Sequence, residues 1–146
     1  MKHDDEMNSS QVRVRYADID KMGVAYNSIY LIWFEIGRTE LLRDVGLTYR
    51  DIEKFGIRLP VIEAGIKYLK PAYYDDVLSI KTILEKKSKL RMRFEYQVVR
   101  NSERLATGFT ELVFTNEKLY PTKPPKELYE YLREFWHQNM DSPERE

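Results

Sequence analysis

The spacing of apolar residues changes character along this chain, and the changes mark out its elements. Gln11 to Tyr16 alternate, with Val12, Val14 and Tyr16 on one side and Gln11, Arg13 and Arg15 on the other. A period of two predicts a half-buried strand. Asp18-Ile19-Asp20-Lys21-Met22-Gly23 breaks the alternation and reads as a turn. From about Tyr26 to Val45 there is no Pro, and apolar side chains fall almost all round a helix: Ile29, Trp33 and Ile36 form one row, Tyr30, Phe34 and Leu41 another. A helix apolar on most faces is a buried one. Gly37 in its middle costs up to ~1 kcal/mol relative to Ala, and leaves room for a strand to come close. Gly46 is the expected stop. Thr48-Tyr49-Arg50-Asp51 begins a short helix that runs to about Phe55, with Gly56 behind it.

Strand periodicity then takes over. Ile62, Ala64, Ile66 and Tyr68 alternate until Lys70-Pro71. Leu78, Ile80, Thr82 and Leu84 form the next stripe. Leu90, Met92, Phe94, Tyr96 and Val98 form the sharpest, opposite Lys89, Arg91, Arg93, Glu95 and Gln97. Arg100-Asn101-Ser102-Glu103 is a hairpin turn, and a last strand runs from about Arg104 to Thr115. After a connector stiffened by Pro121, Pro124 and Pro125, Leu128, Tyr131, Leu132 and Phe135 make an amphipathic helix. The expected organisation is a mobile tail at 1–9, one domain at 10–139 and a mobile tail at 140–146. With no helices between the later strands, antiparallel pairing is expected. The prediction is an α+β domain: a long buried helix wrapped by a five-stranded antiparallel sheet, with a peripheral C-terminal helix.

Composition narrows the chemistry. The 146 residues carry 24 Lys and Arg against 24 Asp and Glu, with no Cys and two His, at positions 3 and 137. Thiolate zinc sites, disulfides and Cys nucleophiles are excluded. A Ser-His-Asp triad, an H-E-x-x-H zinc site or a His-based dehydratase would have to recruit a terminal His. A general base is therefore expected to be a carboxylate. A neutral chain has no broad field to attract nucleic acid. The longest apolar run, Ile29 to Phe34, is too short for a membrane span. The opening Met1-Lys2-His3-Asp4-Asp5-Glu6 lacks the apolar stretch of a secretory signal, so a cytoplasmic protein is expected.

The segment richest in chemistry is the turn from Asp18 to Gly23, which leads into the N-terminus of the buried helix. Unpaired N–H groups and a partial positive charge at a helix N-terminus can hold a developing oxyanion. Two carboxylates precede it, Gly23 permits an unusual backbone at the entry, and Asn27 and Ser28 add polar side chains. A carboxylate beside an oxyanion site suits acyl transfer. An Asp in such a turn is also commonly just a helix cap. A calcium loop is rejected, because Met22 and Ile29 stand where it needs oxygen ligands.

Residues 12–38, VRVRYADIDKMGVAYNSIYLIWFEIGR, resemble the signature of the 4-hydroxybenzoyl-CoA thioesterase family, which includes the acyl-CoA thioesterases associated with the Tol-Pal system. Lys70 to Ile80, KPAYYDDVLSI, is similar to a second block of that family. The resemblance implies the hot-dog fold and hydrolysis of an acyl-CoA to a carboxylic acid and free coenzyme A. It also implies a homodimer or homotetramer with sites at the subunit interface. Asp20 matches the family's catalytic carboxylate, as nucleophile or as base for water. Tyr26 matches the position whose backbone N–H holds the carbonyl oxygen, and Tyr16 a supporting tyrosine. Asn27 stands where the Tol-Pal branch commonly has His. No metal or cofactor is expected, because a thioester is already activated and coenzyme A belongs to the substrate.

Gly23 at the helix entry is a further candidate for substrate binding. Lys89, Arg91 and Arg93, within the basic stretch 85–93, could hold coenzyme A phosphates, although a solvated strand face is the plainer reading. Two competing functions remain. A non-catalytic acyl-CoA or acyl-carrier-protein binding module would use the same scaffold. A hot-dog dehydratase would want an interior His that the chain lacks.

Overall fold

The computed structural model describes residues 7–133. The expected C-terminal tail and His137 lie outside the described residues. Five strands form one antiparallel sheet: β1 (Asn8–Arg13), β2 (Val61–Tyr68), β3 (Val77–Lys86), β4 (Arg91–Arg100) and β5 (Glu103–Val113). Their order across the sheet is β1-β3-β4-β5-β2. Helix α1 (Ile29–Asp44) lies over β1, β3 and β4; α2 (Tyr49–Lys54) and α3 (Lys126–Leu132) are short. This is the predicted α+β arrangement. Strand β1 starts at Asn8, inside the segment 1–9 expected to be a tail, because residues 8–13 pair with Val77–Thr82.

The stripes read from the sequence become the inner face. Leu78, Ile80, Leu84, Met92, Phe94 and Val98 are fully buried in one core with Phe34 and Leu41 of α1. Each such side chain contributes about 1.5–3 kcal/mol by leaving water. Phe34 stacks on Tyr96 at a centroid distance of 4.2 Å. The Tyr96 hydroxyl shares a 2.6 Å hydrogen bond with Thr110, and burial pushes its pKa up to about 12. The β4–β5 hairpin closes through Asn101 (φ 49°) and Ser102 (φ 70°), the left-handed pair that a two-residue hairpin with native twist requires. The second helix starts on a reciprocal cap, in which Thr48 Oγ1 accepts from the Asp51 N–H while Asp51 accepts from the Thr48 N–H.

Three expectations are corrected. The first strand ends at Arg13, and residues 16–18 form a single 3₁₀ turn, so Tyr16 leaves the inner stripe and is 77% exposed. Helix α1 begins at Ile29, which places Tyr26, Asn27 and Ser28 ahead of it. It is also not buried all round: Leu31 and Ile32 are exposed, as are Val61, Ile62 and Tyr68 on edge strand β2. The sheet continues past the helix on that side, leaving the β2 edge uncovered.

Candidate functional site

The two acids of the turn have different surroundings. Asp18 is buried, and its carboxylate is gripped by Arg15: Oδ1 accepts from Nη2 at 2.7 Å and Nε at 3.0 Å, and Oδ2 accepts from the Arg15 N–H at 2.8 Å. Burial alone would raise its pKa, but the hydrogen bonds and charge of Arg15 outweigh it and hold the carboxyl below the usual range. Asp18 therefore fixes the turn through Arg15.

Asp20 sits half-buried at the turn's centre. Its N–H donates to the Val24 carbonyl at 2.9 Å, and its own carbonyl accepts from the Gly23 N–H at 3.0 Å. Its Oδ1 accepts from the Met22 N–H at 2.8 Å and the Val24 N–H at 3.4 Å. Gly23 makes this tight return possible with φ at +83°, and a side chain there would meet nothing within 4 Å, so the need is for backbone freedom rather than space. One carboxylate oxygen is held. Among the described residues nothing occupies Oδ2.

The segment after the turn is stitched to the loop before β3. The Ala25 N–H donates to the Ala72 carbonyl at 2.8 Å, and Val24 bridges Tyr73. The Tyr26 N–H donates to the Asp18 carbonyl at 2.8 Å. That N–H is thereby taken, which corrects the expectation that it faces a substrate oxygen. The next one, on Asn27, has no acceptor among the described residues. The Asn27 carbonyl accepts from the Tyr68 hydroxyl at 2.8 Å, and Tyr68 packs edge-on against Tyr30 with centroids 5.0 Å apart. The Asn27 side chain is exposed. Tyr16 packs edge-on against Tyr74 at 5.8 Å, at the rim of this region. Periodicity placed Tyr68 only in a strand stripe and did not single out Tyr73, Tyr74 or Arg100; Tyr73 and Tyr74 fall within the quoted block from Lys70 to Ile80.

The basic cluster lies elsewhere. Arg91 and Arg93 stand on the outer face of β4, roughly 20–30 Å back along the strand from Arg100, the end nearer the Asp20 turn. Arg93 bonds Glu95 at 3.0 Å, lies 3.8 Å from Glu111, and stacks over Phe109 at 3.9 Å. Arg91 reaches Glu111 at 3.5 Å. Lys89 is exposed in the loop before β4. The chain does not bring these three to Asp20, and both arginines carry carboxylate partners. A surface hollow of about 560 Å³ on the outer face, lined by Lys67, Arg93 and Phe109 among others, shares no residue with the Asp20 turn. Among the described residues no group of His, Asp or Glu is placed to hold a metal, and no helix is long and apolar enough to cross a membrane.

A buried helix wrapped by an antiparallel sheet, with a tethered Asp ahead of its N-terminus, defines a class, and the comparisons name it. Residues 14–132 match the Thioesterase-like superfamily. The chain belongs to that superfamily, has its hot-dog fold, and is by class a thioester hydrolase. It is similar to the acyl-CoA thioesterase YbgC of Haemophilus influenzae, with 32% identity over 122 residues, 82% of this chain and 90% of that protein. It is also similar to the crystal structure of protein TT1821 from Thermus thermophilus, with a TM-score of 0.83, 31% identity, and coverage of 88% of this chain and 98% of that one. The DHNA-CoA thioesterase of Staphylococcus aureus superposes with a TM-score of 0.76 at 32% identity, covering 87% and 84%.

Proposed function

We propose that this protein hydrolyses acyl-CoA thioesters through Asp20, in the manner of the 4-hydroxybenzoyl-CoA thioesterases. One observation carries the reading: Asp20 is fixed through Oδ1 by two backbone N–H groups while Oδ2 is left open, ahead of a helix N-terminus. Oδ2 either attacks the thioester carbonyl or takes a proton from the water that does. The carbonyl oxygen, gaining negative charge, is received by the Asn27 N–H in place of that of Tyr26, assisted by the positive end of α1. The thiolate of coenzyme A is a good leaving group, so a single weakly basic carboxylate suffices when it is oriented and shielded from water. The Asn27 side chain replaces the His common in the Tol-Pal branch and has no proton-transfer role here.

The exposed β2 edge and the open side of α1, with Leu31, Ile32, Val61 and Ile62, support a homodimer formed across that edge, which would also enclose the substrate. Light scattering should return at least twice the chain mass of 17.5 kDa. For the chemistry, Asp20→Asn is assayed for thiol release on a panel of short, long and aromatic acyl-CoAs. A loss of about 10²–10⁴-fold is expected. Wild-type turnover in a folded Asp20→Asn protein rejects the assignment. Tight binding of every thioester without hydrolysis by the wild type would favour an acyl-CoA or acyl-carrier-protein binding module.

A further inference from the structure

We infer that Arg100, which no contact joins to Asp20, is a positioning residue for the Asp20 site, acting through the loop 70–76; the inference rests on the function proposed above. Arg100 ends β4, and its side chain is only 20% exposed. Its guanidinium holds three acceptors at once: Asp76 Oδ2 at 2.8 Å, the Pro71 carbonyl at 3.3 Å and Glu103 Oε1 at 3.0 Å. Asp76 Oδ2 also accepts from the Tyr73 N–H at 2.8 Å, and Lys70 pairs with Glu103. Both ends of the loop are thus tied to one planar cation, a geometry that an ammonium cannot reproduce.

What the loop holds gives this clamp its function. Between Pro71 and Asp76 lie Ala72 and Tyr73, the two residues that pair with Ala25 and Val24. Val24 in turn accepts from the Asp20 N–H and donates to Asp20 Oδ1. On the other side, the Asp75 N–H donates to the Val14 carbonyl and the Val14 N–H to the Asp76 carbonyl, each at 2.9 Å, fixing the strand end that precedes the turn. The path from guanidinium to carboxylate therefore runs by hydrogen bonds from Arg100 to Asp76 and the Pro71 carbonyl and from the Tyr73 N–H to Asp76, then from the Ala25 N–H to the Ala72 carbonyl, then along the chain from Ala25 to Val24, which bonds Asp20. Val24 supplies one of the two N–H groups that hold the carboxylate, Met22 the other, and its carbonyl also accepts the Asp20 N–H, so a shift of Val24 shifts Asp20. A displacement on the order of 1 Å at a reacting group can cost as much as 10²-fold in rate.

The experiment compares wild type with Arg100→Met, which keeps bulk and stem, and Arg100→Lys, which keeps charge but loses the fork. Thiol release is measured on the acyl-CoA that wild type turns over fastest, and hydrogen exchange is followed at the Val24 and Ala25 amides. Arg100→Met is expected to lower kcat about tenfold or more with KM within about threefold, and to speed exchange at Ala25. Arg100→Lys is expected to recover part of kcat. A folded Arg100→Met protein with wild-type kcat, or one whose loss is wholly in KM, overturns the inference. So does unchanged exchange at Ala25. The exchange arm is independent of catalysis, and Asp20→Asn serves as the control: if that variant stays active, the catalytic reading has failed, while unchanged exchange identifies failure of the brace itself.

Discussion

Replacing Gly37 by Ala sets local propensity against packing, and the structure decides the sign. In an isolated helix the change stabilises by up to ~1 kcal/mol, since Gly is the poorest helix former after Pro. Here Gly37 faces the sheet, and a Cβ built on it would stand 2.5 Å from Thr82 Oγ1 and 2.9 Å from Ile80 Cγ2. Both belong to buried side chains of β3, and the Thr82 hydroxyl has no hydrogen-bond partner among the described residues. One rotation of Thr82 puts its methyl in the same space, and the other still leaves Ile80 Cγ2 at 2.9 Å, so α1 or β3 must move. Overpacking of this kind costs about 1–3 kcal/mol. Set against the propensity gain, the net effect is a loss of up to about 2 kcal/mol, or up to roughly 8 °C in Tm for a chain of this length. Urea denaturation at constant m-value measures it. Thr82→Ala should be nearly neutral, because it removes an unpaired buried hydroxyl together with a methyl. In the Gly37→Ala background it should restore part of the stability, with the Ile80 contact remaining, so the two substitutions are non-additive. A Gly37→Ala single variant at least as stable as wild type would refute the close-approach argument.

The remaining tests follow from the turn and the outer sheet face. Asn27→Ala keeps the backbone N–H and should retain kcat within a few-fold. Asn27→Pro removes that N–H and should cost about 10²–10³-fold, with circular dichroism verifying the fold. Asp18→Asn should destabilise by about 1–3 kcal/mol at neutral pH by breaking a charge-assisted network. Because the pKa of Asp18 is depressed in the folded protein, that stabilisation is present above the unfolded carboxyl value and is lost as pH falls through the folded one, so thermal melts of the two proteins should converge in acid. Glu85 behaves oppositely: burial, then the charge of Glu95 and a hydrogen bond with it, push its pKa up to about 7. Its contribution is complete below the ordinary value of 4.5 and is lost as pH rises through 7, so Glu85→Gln should match wild type at pH 4 and melt higher at pH 8. Equal melting at pH 8 would mean the two carboxylates do not share a proton.

Much of the architecture is written in short-range pattern, and the parts that are not have a common cause. Leu78, Ile80, Leu84, Met92, Phe94 and Val98 could be assigned to one face because a strand's period is two and one face is covered along its length. The same alternation in Ile62, Ala64 and Ile66 places β2 correctly as a strand but not its surroundings. Whether a stripe is covered depends on how far α1 extends across the sheet, and that is a relation between distant elements. Leu31 and Ile32 failed the buried-helix expectation for the same reason. Tyr16 failed for a local one. The Asp18 carboxylate accepts from the Arg15 N–H and the Asp18 N–H donates to the Arg15 carbonyl, closing a single 3₁₀ turn, and the strand ends three residues earlier than periodicity alone predicts.

The site divides in the same way. The turn around Asp20 was legible because Asp, then Gly three residues on, then a helix is a local backbone instruction, whereas the hold of the Met22 and Val24 N–H groups on its carboxylate was not read. Which N–H remains open was not legible, since it depends on Asp18 reaching past the turn to accept from Tyr26 and leaving Asn27 unpaired. The basic run at 89–93 was dense enough in sequence to attract attention, yet the register of β4 against β5 sets Arg91 opposite Val113 and Arg93 opposite Glu111, away from the turn. Arg100, by contrast, looked like one more residue of a hairpin. Its importance arises only when the β4–β5 hairpin is folded against the loop before β3, where a planar cation meets Asp76, Glu103 and a carbonyl together. Charge density along a chain therefore predicts a poor substitute for what matters here, which is how many acceptors converge on one guanidinium. On this chain the dense run is neutralised by its own strand neighbours, and the isolated arginine is the one tied to the loop that pairs with the Asp20 turn.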